Sequence, residues 1–241
     1  MSTGHAKNVA NFETVTIILL ALGTSYNPNQ SLILLPALQA KLTEAQNALA
    51  ALDAAEAAAD IAGNEREAEF AGLAAFAVNI KRTAEVEIND EAFTADLQSI
   101  VRKMQGRRSG EAPVDDPTTP DVDESLNTHS VSSRDYDSLV SHFADLIALL
   151  KTKADSYKPY DEEMKIAALE TKLAALQAKN NAAKNAEITL GNAQDARDEI
   201  LYNPATGILK LVKLIKIQLR RKPGTNSAAY QQINALEFRK Y

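Results

Sequence analysis

No constellation of side chains spaced for acid, base or metal chemistry stands out in this 241-residue chain. Its three histidines, His5, His129 and His142, share no spacing, and no Glu-x-x-His pair of the kind that lines di-metal helical bundles occurs. Cysteine is absent, which removes a disulfide framework, a thiolate zinc site and a cysteine nucleophile. His142 and Asp145, three apart, suit a surface hydrogen bond on one helix face, but no nucleophile accompanies them. No G-x-S-x-G, Walker loop or G-x-G-x-x-G appears. The sequence therefore offers no catalytic residue, no metal site, no cofactor and no evident small-molecule substrate, and it reads as a protein that is not an enzyme.

One stretch stands out by its chemistry. Between Gly207 and Gly224, Ile208, Leu209, Leu211, Val212, Leu214, Ile215, Ile217 and Leu219 interleave with Lys210, Lys213 and Lys216, followed by Arg220, Arg221 and Lys222. On a helix, Lys210, Lys213, Lys216 and Arg220 run down one flank beside a broad apolar face. Such a face can meet an acidic partner or lie on an anionic membrane. The simpler reading, which we favour, is a buried bundle helix with one solvated lysine edge. The six cations are the candidate partner- or membrane-binding residues. A second basic cluster, Arg102, Lys103, Arg107 and Arg108, complements a helix C-terminal dipole or meets the acidic linker described below.

The elements that must position these residues are helices. Hydrophobic residues make up 45% of the chain, enough for a core, and alanine and leucine dominate them while tryptophan is absent. Eight prolines cluster in a few places instead of punctuating the chain at the short intervals a β-sandwich needs. The expected class is all-α. A net charge of −6 and a pI near 5.2 argue against a general nucleic-acid binder, which needs a basic surface. The longest apolar run, Val15 to Leu22 interrupted by Thr16, falls short of the roughly 20 residues of a membrane span. It resembles a signal-peptide core, but Glu13 precedes it, Lys7 is its only basic flank and no small-x-small site is well placed after it. A cytoplasmic location is expected, with secretion the lesser alternative.

Sliding the chain against itself by 131 residues places Phe12 on Phe143, Leu19 on Leu150, and Ser25, Tyr26 and Pro28 on Ser156, Tyr157 and Pro159. Further on, Leu38, Lys41, Leu42 and Gln46 fall on Leu169, Lys172, Leu173 and Gln177, and Arg66 falls on Arg197. A tandem duplication follows. It makes the N-terminal apolar run a core helix, because its counterpart lies mid-chain.

Each copy is expected to hold about four helices around one long helix. In the first, Val9 to Thr24 forms a short helix, and Pro28 opens the next in its first turn. The long helix carries a heptad seam of Leu35, Leu38, Leu42, Ala45, Leu49 and Leu52 and extends for about 40 residues, or ~60 Å. The second copy repeats the seam as Ile166, Leu169, Leu173, Leu176, Asn180 and Ala183, with Asn180 replacing a leucine to fix register or meet a buried partner. Helices over Leu73 to Glu85 and Asp90 to Gln105 complete the first copy. Their counterparts begin at Pro204 and near Ser227, with Tyr230, Ile233 and Leu236 inward. The domains are thus 1–105, a first helical unit; 106–133, an acidic Pro/Ser/Thr linker; and 134–241, a second helical unit. The expected architecture is an elongated tandem helical bundle.

Ser-Tyr-x-Pro with its following leucines, together with Ala196-Arg197, Leu201-Tyr202 and Gly207, resembles an uncharacterised group of bacterial two-unit α-helical proteins with no assigned activity. That resemblance implies a fold and no reaction or site. Arg220-Arg221-Lys222-Pro223 departs from it by carrying more charge and a proline. Taken together, the sequence points to a non-enzymatic structural or protein-interaction scaffold that uses helix faces for self-association or partner binding. The alternatives are a membrane-active helical protein of pore-forming type, using residues 208–222, and a carrier of small apolar ligands.

Overall fold

The computed structural model describes residues 4–106 and 135–241, so the linker read at 106–133 falls, Gly106 apart, outside the described residues, as do His129, Arg107 and Arg108. The described chain is all-helical, with no strand among its residues. The helices are α1 (Gly4–Ala21), α2 (Leu35–Phe70), α3 (Leu73–Ile88), α4 (Glu91–Gln105), α5 (Tyr136–Lys151), α6 (Ile166–Tyr202), α7 (Ile208–Leu219) and α8 (Ala228–Ala235). None of the described helices is long and apolar enough to cross a membrane.

Local chemistry accounts for most of the boundaries. Asp90 caps α4 by accepting from the Phe93 amide at 3.1 Å, and Ser227 caps α8 through the Tyr230 amide at 3.3 Å. Gly106 ends α4 in the left-handed conformation at φ 67. Pro28 does not open the long helix as expected. It lies in the loop ahead of the 3₁₀ turn Ser31–Ile33, and Pro36 occupies the first turn of α2 instead. The first helix also starts earlier than expected, at Gly4, and ends at Ala21. Pro204 belongs to a turn, and α7 begins only at Ile208. There Gly207 is obligatory, because a Cβ would lie 2.5 Å from the Asn203 backbone nitrogen.

The chain packs as two compact bodies that do not follow the 1–105 and 134–241 segments. Bundle A takes residues up to Asp60 together with Asn185–Tyr241; bundle B is Ile61–Lys184. The core of bundle A joins Phe12, Val15 and Leu19 of α1 and Leu38 and Ala45 of α2 to Leu201, Ile208, Val212, Ile215, Leu219 and Ile233. Bundle B joins Phe70, Ala77, Ile80, Phe93, Leu97 and Met104 to Phe143, Leu146, Leu150, Leu169 and Leu176. Each core therefore draws on both halves of the sequence.

Positions 131 apart do the same local job in their separate bundles. Tyr26 donates to the Ile33 carbonyl at 2.8 Å and Tyr157 to the Met164 carbonyl at 3.0 Å, each folding its phenol under the loop before a long helix. Burial pushes the Tyr157 hydroxyl up to about 12 and raises Tyr26 further, so both stay protonated donors. The tyrosine of Ser-Tyr-x-Pro is thus a loop lock.

The seam positions divide between buried residues and the partly buried Leu35, Leu42, Leu49, Ile166 and Leu173. Leu38, Ala45 and Leu52 are buried on α2, as are Leu169, Leu176, Asn180 and Ala183 on α6. Asn180 donates through Nδ2 to Asp137 Oδ1 at 2.7 Å, and Lys184 reaches the same carboxylate at 2.5 Å. Lys184, and secondarily Asn180, hold the Asp137 carboxyl below its usual range. The Asn180 carbonyl oxygen is buried without a hydrogen-bond partner. An unmet buried acceptor costs about 1–3 kcal/mol, more than the net gain of one hydrogen bond to a carboxylate that Lys184 already serves. Replacing Asn180 by Leu, the residue at position 49 in the other seam, is expected to stabilise bundle B by about 1 kcal/mol. A urea midpoint that falls in Asn180→Leu would refute this.

Candidate interaction surface

The basic stretch is a wall of bundle A. Ile208, Leu211, Val212, Ile215 and Leu219 point into the core, while Lys210, Lys213 and Ile217 face out along α7. Arg220, Arg221 and Lys222 continue the exposed edge through a kinked turn, Arg220–Gly224. Arg220 donates to the Tyr230 hydroxyl at 3.1 Å and lies 5.8 Å above its ring. Lys216 departs from the exposed flank: it lies at the core margin, where burial lowers its pKa, and it reaches the Asn234 carbonyl at 3.4 Å. The preferred sequence reading, a buried helix with a solvated cationic edge, describes this arrangement.

Setting Gly207 on Gly72, a shift of 135 in place of 131 because the chain from the start of α6 to α7 is four residues longer than that from the start of α2 to α3, aligns α7 with α3 of bundle B and separates what the two share from what they do not. Buried Ile208, Val212, Ile215 and Leu219 correspond to buried Leu73, Ala77, Ile80 and Ala84. The cations Lys210, Lys213, Arg220, Arg221 and Lys222 correspond to Ala75, Val78, Glu85, Val86 and Glu87. Lys216 alone keeps its charge, as Lys81, which also reaches to the next helix, donating to Gln98 at 2.9 Å. The same contrast holds elsewhere in bundle A. Exposed Ile17 and Leu20 on α1, and Leu32 and Leu34 beside the 3₁₀ turn, stand where Ala148, Lys151, Glu163 and Lys165 occupy the equivalent positions. A fold that accepts alanine or charged residues at these positions does not need large apolar ones there for its own stability.

A second cluster escaped the sequence reading. His5 belongs to the first turn of α1, and its Nδ1 pairs with the Tyr202 hydroxyl of α6 at 2.8 Å. Asn8, only 1% exposed, donates to the Arg239 carbonyl at 2.6 Å and accepts from the Arg239 amide at 3.2 Å. Asn11 donates to the Glu237 carbonyl at 2.7 Å. The Tyr241 ring packs edge-on to His5 at 5.7 Å and covers Gly4, where a Cβ would lie 2.2 Å from it. The one sequence signal was Asn-x-x-Asn on the inward side of an apolar helix.

Burial, and next the Arg197 guanidinium, lower the His5 pKa, with Asp198 opposing; Tyr202 and Tyr241 are its other neighbours. A histidine whose folded pKa is depressed contributes stability that is intact above its ordinary value of 6.5 and is lost as the pH falls through that value, because the unfolded chain takes the proton first. Bundle A should accordingly be less stable at pH 5.5 than at pH 7.5, and His5→Gln should flatten that difference. An unchanged pH slope in the variant would count against the assignment.

His142 Nδ1 lies 4.0 Å from Asp145, at the edge of contact, and no group of three or more metal-ligating side chains occurs among the described residues. The cleft at the α3–α4 corner is lined by Lys81, Glu85, Asp90, Thr94 and Gln98 among others. No family model, curated protein or solved structure matches this chain.

Proposed function

We propose that this protein is a non-enzymatic interaction protein, built as a tandem duplication, that docks an acidic protein surface along the α7 edge of bundle A. The observation that carries the reading is the divergence between equivalent positions: their buried faces match, while the exposed edge changes from Ala75, Val78, Glu85, Val86 and Glu87 to five cations. No acid interrupts residues 208–222. In a chain of net charge −6, such a cationic edge is maintained against the overall balance and steers a negatively charged partner. Ile217 in the middle of the edge supplies an apolar contact for the bound state.

Full-length chain and a Lys210→Glu/Lys213→Glu/Arg220→Glu variant, immobilised and exposed to lysate of the native cell, test this. The expected result is an acidic protein retained by the parent chain, released by salt as screening shortens, and captured at least about tenfold less by the variant. If the variant retains the same proteins as the parent, or if no protein is captured and light scattering shows a strict monomer, the reading falls.

The burial of Ile208, Leu211, Val212, Ile215 and Leu219 favours this over an inserting, pore-forming role, in which that face has to leave the core. Flotation with anionic vesicles separates the two: dye release on binding would support insertion and displace the protein-docking reading.

A further inference from the structure

Residues 236–241 leave α8 as an extended strap instead of continuing the helix. Leu236 has φ −74 and ψ 126, and Leu236 and Phe238 pack against the bundle A core. Glu237 and Arg239 point outward and pair with each other at 2.9 Å. Alternation of inward and outward side chains is the signature of a strand. What replaces the missing neighbouring strand is α1. The buried amide of Asn8 gives both an acceptor and a donor to the Arg239 main chain, as a peptide group would, and Asn11 one turn further on takes the Glu237 carbonyl. These contacts read backbone, so they are indifferent to the side chains at 237 and 239. Selectivity comes from Phe238 on the core and from the Tyr241 ring, which lies over Gly4.

Equivalent positions of bundle B show that the fold has another solution. There α5 carries Leu139 and His142 where α1 carries Asn8 and Asn11, and the packed neighbour is α4, helical for 15 residues against 8 in α8, with Val101 and Met104 buried in its last turns. The two asparagines therefore accompany an extended occupant, not a helical one.

We infer that the face formed by Gly4, Asn8 and Asn11 of α1 with Tyr202 of α6 is a binding site for an extended peptide segment bearing an aromatic side chain three residues before a second one, and that residues 236–241 fill it in cis. A protein partner presenting such a segment displaces the strap by adding its backbone to the same asparagines, a helix-borne version of strand addition. The occupying strap competes at the millimolar effective concentration of a short tether, which keeps the site closed to weak ligands. The site is independent of the cationic edge of α7.

The test uses full-length chains and a fluorescent hexapeptide, Leu-Glu-Phe-Arg-Lys-Tyr, read by anisotropy against a scrambled control. Two variants loosen the strap: Arg239→Pro, which removes the N–H that Asn8 accepts together with the Arg239–Glu237 ion pair, and Phe238→Ala/Tyr241→Ala, which removes both anchors. Either should bind the hexapeptide at least about tenfold more tightly than the parent chain, and adding Asn8→Leu should abolish the gain. The α7 charge-reversal variant should behave as the parent. Equal binding of the scrambled peptide, or no gain in either loosened variant, overturns the proposal. Loss of the helical signal in both variants overturns it equally, since the strap is then a structural part and not a displaceable occupant.

Discussion

Chains covering residues 1–106 and 134–241, expressed separately, are expected to be largely unfolded as monomers and to recover helicity and a cooperative melt when mixed. The reason is the composition of the two cores. A chain ending at 106 keeps Phe12, Val15, Leu19, Leu38 and Ala45 of bundle A but loses Leu201, Ile208, Val212, Ile215, Leu219 and Ile233, against which they are buried. In bundle B it keeps the α3 and α4 residues and loses Phe143, Leu146, Leu150, Leu169 and Leu176. Each large side chain returned to water forfeits about 1.5–3 kcal/mol, so losing half of either core exceeds the 5–15 kcal/mol that hold an ordinary domain together. Circular dichroism of each fragment and of the mixture, with the mass of each species from light scattering, decides the matter. A fragment that melts cooperatively as a monomer would show that the two sequence segments fold alone and would contradict the core assignments.

Phe12→Ala and Phe143→Ala are expected to cost about 3–5 kcal/mol each, the largest single-residue effects in the molecule. Both rings are fully buried, and Phe143 also lies 6.5 Å from Phe76 in a tilted aromatic pair. For a chain of this size such a loss lowers the midpoint by roughly 6–20 °C. The informative readout is spatial. Amide exchange in Phe12→Ala should rise first in α1, α7 and α8, and in Phe143→Ala first in α3, α4 and α5, because those helices share the emptied core. Shifts below 1 kcal/mol, or identical exchange patterns in the two variants, would mean that the cores are not the separate packing units described. The Phe12 variant should also weaken partner capture through α7, while the Phe143 variant should spare it.

Much of this was legible in the chain. The seam residues Leu38, Ala45, Leu169 and Leu176 are buried because three- and four-residue spacing keeps one face inward on any regular helix. Asp90 and Ser227 announced the starts of α4 and α8, since an N-cap acts on its own next turn. The basic edge of α7 was found by its lysine spacing, and only Lys216 was misplaced, because its position between the two faces allows it to be drawn to Asn234. The strap was not legible. Residues 236–241 stay extended because side-chain amides of α1, more than 220 positions earlier in the chain, satisfy backbone groups that a helix would have satisfied internally.

The sequence by itself determined the helices, their apolar faces and the edge on which charge accumulates, because periodicity, capping and propensity act within a few turns. Only the tertiary structure decided which faces meet. Phe12, Leu19 and Leu38 present the same residue types at the same spacing as Phe143, Leu150 and Leu169, so no local signal tells α1 to pack with α7 and α8 in place of α3 and α4. When apolar stripes are interchangeable, pairing is settled by the summed fit of whole bundles and by the few polar groups that differ between them, such as Asn8 with the strap and Asn180 with Asp137.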